Sequence, residues 1–226
     1  MVAAGRGERM GAVLPKAFLH LAGVPLFIRT LQSLLQSSMI TSVVIVVAAE
    51  YEGLCRDMLN AYGPSGFPIR IVQGGAERQD SVRCGLTALD PECEIVVIHD
   101  AARPFLTAAL IDRSIIVAAA CGGAVVAVPV RDTIKRVGEN SVVVETISRQ
   151  HLWRAQTPQT FSVPVIRAAH ARALAEGKRA TDDAALVEWV AGTVKIVIGD
   201  SLNFKITTPD DWQLAEAILQ KERGLL

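Results

Sequence analysis

Short runs of β-branched residues recur along the chain, each followed by a segment with helical spacing of its apolar residues, and this alternation constrains the fold more than any other feature. Strands that are apolar at nearly every position are buried on both faces. In a βα repeat, that means a mostly parallel sheet covered by helices on each side. The strand candidates are residues 43–48, 69–72, 95–99, 124–128 and 194–198. Helix candidates lie at 25–38, 51–61, 78–89, 107–121, 164–176, 182–190 and 209–223, the last with Thr208 as N-cap and Pro209 at the first helical position. The expected fold is α/β, a Rossmann-like, doubly wound sheet in one domain over 1–226, a length sufficient for such a core.

Two segments depart from the alternation. Residues 131–150 carry a β-type run at 141–147 behind a polar turn of Gly138, Glu139 and Asn140, which reads as a hairpin arm at about 131–152. A lone hairpin is marginal in water, so the arm is expected to pack against a second subunit in a homodimer. At the other end, Ala3-Ala4-Gly5 reads as the close of a strand whose body is reduced to Met1-Val2. That strand is central in doubly wound sheets, so either it continues upstream of this sequence or the sheet tolerates a stub.

Composition narrows the function. Lys plus Arg and Asp plus Glu are both 23, so no bulk charge draws the protein to nucleic acid or a membrane, and any anion site is local. Cys55, Cys84, Cys93 and Cys121 form no C-x-x-C pair, which suits reduced thiols in a cytoplasmic protein rather than a disulfide framework or zinc site. No apolar run reaches the roughly 18 residues of a membrane span.

The strongest local signal is Ala3-Ala4-Gly5-Arg6-Gly7-Glu8-Arg9-Met10-Gly11, followed by Pro15-Lys16. Small residues let backbone N–H groups approach a phosphate chain, and Arg9 and Lys16 add cations beside it. The pattern is neither a Walker A loop, lacking Gly-Lys-Ser/Thr, nor G-x-G-x-x-G, since Met10 holds the third glycine position. By itself a glycine-rich turn after a strand leaves a plain structural turn open.

Read with four further segments, this loop resembles that of the 2-C-methyl-D-erythritol 4-phosphate cytidylyltransferases of the non-mevalonate isoprenoid pathway. The segments are Gly74-Gly75-Ala76-Glu77-Arg78-Gln79-Asp80-Ser81-Val82, His99-Asp100-Ala101-Ala102-Arg103-Pro104, Val130-Arg131-Asp132-Thr133-Ile134-Lys135-Arg136 and Trp153-Arg154-Ala155-Gln156-Thr157-Pro158-Gln159. A last match, Asn203-Phe204-Lys205-Ile206-Thr207, precedes the final helix, so the likeness runs over nearly the whole chain.

The resemblance implies a nucleotidyltransferase that joins CTP to a polyol phosphate with release of pyrophosphate, using Mg²⁺ held mainly by the triphosphate. It implies a nucleotide site of Ala3, Ala4, Gly5, Gly7, Gly75, Ser81, Asp100 and Ala101. Arg9, Lys16 and Lys205 are the implied catalytic cations at the α-phosphate. Asp100, Arg103, Thr133, Arg149 and Thr157 are the implied acceptor contacts, with Arg149 and Thr157 reaching across from a second subunit. Some family members carry Asp where this chain has Ala76, so only backbone contact carries over there.

The residues have readings of their own. Asp100 ends the buried run 95–98 and needs a partner such as Arg103, a ligand hydroxyl or a metal-bound water. Lys205 sits in an apolar strand, 204–206, and needs an anion or an escape to solvent. His99 reads as structural, and Asp182 of the Thr181-Asp182 pair as an N-cap. His20, His151 and His170 have no matching context. The rival readings are a ribitol 5-phosphate cytidylyltransferase, a dinucleotide-dependent dehydrogenase, a non-catalytic nucleotide-binding regulator, and one half of a bifunctional protein.

Overall fold

In the computed structural model, which describes residues 1–5 and 14–222, the chain opens with a short antiparallel pair, β1 (His20–Leu21) and β2 (Val24–Pro25), that leads into α1 (Leu26–Leu34). The βα alternation follows: β3 (Val43–Val47), α2 (Glu52–Tyr62), β4 (Ile69–Gln73), α3 (Arg78–Thr87), β5 (Ile95–Ile98), α4 (Ala108–Cys121) and β6 (Gly123–Pro129). Beyond an arm of β7 (Ile134–Val137) and β8 (Val143–Ile147) come β9 (Trp153–Ser162), α5 (Val163–Ala175), α6 (Asp183–Trp189), β10 (Lys195–Ile198) and α7 (Pro209–Glu222).

Strand β3 pairs with β4 in parallel, and β10, β6, β9 and β5 form a second ladder in that order. Val2 joins the two, bridging Val46 on one side and Asp100 on the other, both in the parallel sense. The short strand segment at Val2 is thus held in the middle of the sheet. Val2 N–H donates to the His99 carbonyl, Ala3 N–H to that of Val46, and Ala101 N–H to that of Val2. Below Val2 the space between β3 and β5 is an apolar slot of about 140 Å³ lined by Met1, Val44, Leu86 and Val97 among others.

Successive side chains of a strand point to opposite faces, so apolar strands feed two cores. On β6, Ala124 and Val126 pack with α1, α2 and α4, while Val125 and Ala127 pack with α3, α5 and α6. Phe27 and Ile166, one in each core, are fully buried, each contributing about 1.5–3 kcal/mol by area. Helix ends follow the expected caps: Asp182 Oδ1 accepts the Ala185 N–H, and Thr208 Oγ1 accepts the Asp211 N–H ahead of Pro209.

Three expectations need correction. Strand β9, antiparallel between β5 and β6, was not anticipated. The segment 204–206 is not a strand: Ile206 N–H is tied to the Ala102 carbonyl and the chain runs on to α7. Thr157 belongs to β9 and is buried within its own chain, so it does not reach across to a partner.

Candidate active site

Ligands of open α/β sheets bind outside the carboxyl ends of the strands, and here those ends gather one cleft. The chain after Val2 (Ala3, Ala4, Gly5), after β3 (Ala48 to Glu50), after β4 (Gly74 to Glu77) and after β5 (Asp100 to Ala102) encloses about 720 Å³, with Lys16 and Lys205 on its wall. That volume suits a nucleotide-sized ligand. Of the residues expected at the nucleotide, Ala3, Ala4, Gly5, Gly75, Ser81, Asp100 and Ala101 all line it. Gly7 and Arg9 lie outside the described residues.

The β4–α3 turn shows why glycine is needed. A Cβ on Gly74 would stand 2.7 Å from Ser81 Oγ and 2.9 Å from Ala4 Cβ; on Gly75 it would stand 2.4 Å from Asp80 Cβ. Bare backbone therefore packs against Ala4, and the Gly75 N–H donates to Ser81 Oγ at 3.2 Å. The arrangement presents main-chain groups and one hydroxyl to the cleft, as a site for the edge of a base requires.

Electrostatics converge on Asp100. Its Oδ2 is 2.9 Å from Lys205 Nζ and 3.9 Å from Arg103 Nε, and its Oδ1 is 3.3 Å from Arg78 Nε. Burial alone would raise its pKa, but the Lys205 ammonium and the Arg78 guanidinium outweigh burial and hold the carboxyl well below the usual range. Lys16 Nζ donates to the carbonyl of Ile206, one residue from Lys205, so the segment before β1 is tied to the segment before α7 at the cleft wall that both lysines line. Lys205 is 38% exposed and can turn toward a ligand, whereas Arg103, 11% exposed, donates through Nη1 to the Asn203 carbonyl. Burial lowers the pKa of Arg103, whose Nε has no hydrogen-bond partner among the described residues.

His99 is structural in its contacts. Its Nε2 lies 3.0 Å from the Arg103 carbonyl, which can only accept, so Nε2 carries the proton and Nδ1 accepts from the Thr157 hydroxyl at 2.9 Å. The same Thr157 oxygen accepts the Asp100 N–H, which places Thr157 under Asp100 rather than in the cleft. Thr133 and Arg149 lie apart from the cleft lining, exposed at the base of the arm, where Arg149 donates to the Arg131 carbonyl.

Sequence reasoning assigned no role to Arg78, although it lines the cleft and binds Asp100. Its second partner, Asp183, lies 105 positions away, and no local pattern announces such a pair.

The match to known proteins is extensive. The family model described as 2-C-methyl-D-erythritol 4-phosphate cytidylyltransferase matches residues 1–221. A protein of that name from Pelotomaculum thermopropionicum is 46% identical over 228 aligned positions, covering 100% of this chain and 95% of the relative. The solved structure of 4-diphosphocytidyl-2C-methyl-D-erythritol synthase from Anaerococcus prevotii superposes with a TM-score of 0.84 at 32% identity, over 97% of this chain and 95% of that one. A 2-C-methyl-D-erythritol 4-phosphate cytidylyltransferase from Thermus thermophilus gives 0.80 at 34% identity, over 97% of both.

Proposed function

The chain belongs to the 2-C-methyl-D-erythritol 4-phosphate cytidylyltransferase family, and from that premise we propose how its residues divide the work of moving CMP from CTP to 2-C-methyl-D-erythritol 4-phosphate with release of pyrophosphate. The observation that carries the reading is that Lys16 and Lys205, from opposite ends of the sequence, both line the strand-end cleft that contains Asp100.

No protein nucleophile is required. A phosphate oxygen of the acceptor attacks the α-phosphorus of CTP in line with the departing pyrophosphate, so the protein's work is to position two polyanions and to stabilise added negative charge. Cytosine lies against the main chain of Ala3, Ala4, Gly74 and Gly75 and the Ser81 hydroxyl. The α-phosphate is met by Lys16 and Lys205, with Arg9 completing the set from the glycine-rich loop. Asp100 and Ala101 line the floor, and Arg103 supports the acceptor side from behind Asp100. With Asp100 paired to Arg78 and Lys205, a Mg²⁺ would be held mainly by the oxygens of CTP, where it would neutralise the leaving pyrophosphate. The unit acts as one domain in the cytoplasm, and as a homodimer in which the partner's arm offers the equivalents of Thr133 and Arg149 to the acceptor phosphate. Arginine suits that task because its guanidinium donates two parallel hydrogen bonds.

Pyrophosphate release, measured with CTP and either methylerythritol 4-phosphate or ribitol 5-phosphate, tests the reaction, with ATP, GTP and UTP as controls. Release should be fastest with CTP and methylerythritol 4-phosphate. Lys16→Ala should lower turnover about 10²-fold or more while CTP affinity changes little, because its charge counts most in the transition state. Wild-type turnover in the folded variant would remove Lys16 from the mechanism.

A further inference from the structure

Arg78 is the first residue of α3 and carries a guanidinium that touches two carboxylates in different parts of the fold. Nε reaches Asp100 at 3.3 Å, at the cleft, and Nη1 reaches Asp183 Oδ2 at 2.7 Å, behind it. Asp183 is 1% exposed and fixed on every side: its Oδ1 is 3.2 Å from His170 Nε2, and its N–H and that of Ala184 both donate to Gln159 Oε1 at 3.0 Å. Arg78 therefore ties a carboxylate in the cleft to one anchored in the protein interior.

We propose that Arg78 is a positioning residue for nucleotidyl transfer: by bridging Asp100 to Asp183 it keeps Asp100 oriented and charge-compensated while Lys205 leaves that carboxylate for the nucleotide's phosphate. The inference rests on the role given to Lys205 above. When Lys205 turns to a phosphate, Asp100, buried at the end of β5, gives up its shortest ion pair and keeps only the longer approach of Arg103 on that oxygen. With Arg78 in place, one charge-assisted contact on Oδ1 survives, held from a rigid base. Lysine cannot substitute fully, because a point charge does not span two carboxylates as a planar fork does. Among the described residues, the charged and titratable groups facing Asp100 are Lys205, Arg78, Arg103, the adjacent His99 and the Met1 α-amino group. Those facing Arg78 are Asp183, Asp100 and Arg103.

Steady-state kinetics across pH, on the full chain with CTP and methylerythritol 4-phosphate, test this. Arg78→Met should lower kcat by about tenfold to a hundredfold, with the KM for CTP changing less than about threefold. It should also move the acid limb of the kcat profile toward neutral pH, since Asp100 has lost a cation. Arg78→Lys should restore the limb but only part of kcat. Asp183→Asn, which keeps the guanidinium and loosens its anchor, should lower kcat and leave the limb in place. A folded Arg78→Met enzyme whose kcat and pH profile superimpose on the wild type overturns the proposal, as does a loss accounted for by the unfolded fraction alone. Should that variant not fold, unchanged kcat in both Arg78→Lys and Asp183→Asn overturns it equally. If the wild type releases no pyrophosphate with these substrates, the failure lies in the assigned reaction and not in Arg78.

Discussion

Buried beneath the cleft, His99 converts a packing requirement into a dependence on acidity. Burial pushes its pKa down to about 4 from an ordinary value near 6.5, because an imidazolium there has lost its water. A group with a depressed folded pKa contributes stability above its unfolded pKa and loses it as pH falls toward the folded one. The window is therefore between about 6.5 and 4, and the loss across it is about 3 kcal/mol. Unfolding free energies from urea melts between pH 7 and pH 4 should fall steadily. In His99→Gln they should start lower, by about 1–3 kcal/mol for the disrupted pair of hydrogen bonds, and fall less steeply. Equal slopes in the two proteins would show that His99 is not the group titrating. Asp100 and Asp211, both held below the usual carboxylate range, act only at more acidic pH.

Among the elements, the arm carries the clearest expectation. Strands β7 and β8 pair with one another, in a ladder separate from the main sheet, and leave Val137, Val142, Val143 and Val144 exposed. Their cross-strand contacts, Arg136 with Glu145 and Lys135 with Thr146, are solvent-exposed and contribute little. Val142→Lys combined with Val144→Lys should shift sedimentation from dimer to monomer and reduce activity at least about tenfold, while a wild-type monomer of full specific activity would end the dimer reading. The arm was legible because its alternation and turn are local, and so were the β-branched strands and capped helices. Strand β9 was not, because Gln156, Thr157, Gln159 and Thr160 read as surface and Pro158 argues against a central strand. The structure satisfies each polar group: Gln156 donates to the Asp200 carbonyl, Gln159 to Asp182, and Thr160 meets Ser114. Pro158 falls where the β6–β9 register slips between Val125 and Ala127, so its missing N–H breaks no regular ladder. The site divides in the same way. The glycines and Lys16 stood out by type and spacing, and Ser81 and Lys205 were reached through the family resemblance, whereas the Arg78–Asp183 link depends on a distant part of the chain that folding brings near.

Taken whole, the molecule is two ladders that share a cleft, with the β4–α3 turn on one side and Asp100 and Lys205 on the other. A ligand that touches both should stabilise them together. CTP at a hundred times its Kd should add about 2.7 kcal/mol and raise the Tm by roughly 5–10 °C in calorimetry, with ATP at equal concentration giving a clearly smaller rise. Equal shifts for the two nucleotides would mean that the Gly74-Gly75 turn does not read the base. Between the ladders the backbone contact is thin: Val2, with Met1 and Ala3 beside it, supplies the hydrogen bonds that span from β3 to the end of β5, above a slot holding side chains alone. This is the seam of the molecule. Because the first core takes side chains from both ladders, Val43 and Ile45 of one with Ala124 and Val126 of the other, the seam is closed by packing and not by main chain. Ala3, Ala4 and Gly5 run on from that bridge into the cleft wall, so any shift at the seam is passed directly to the cleft lining.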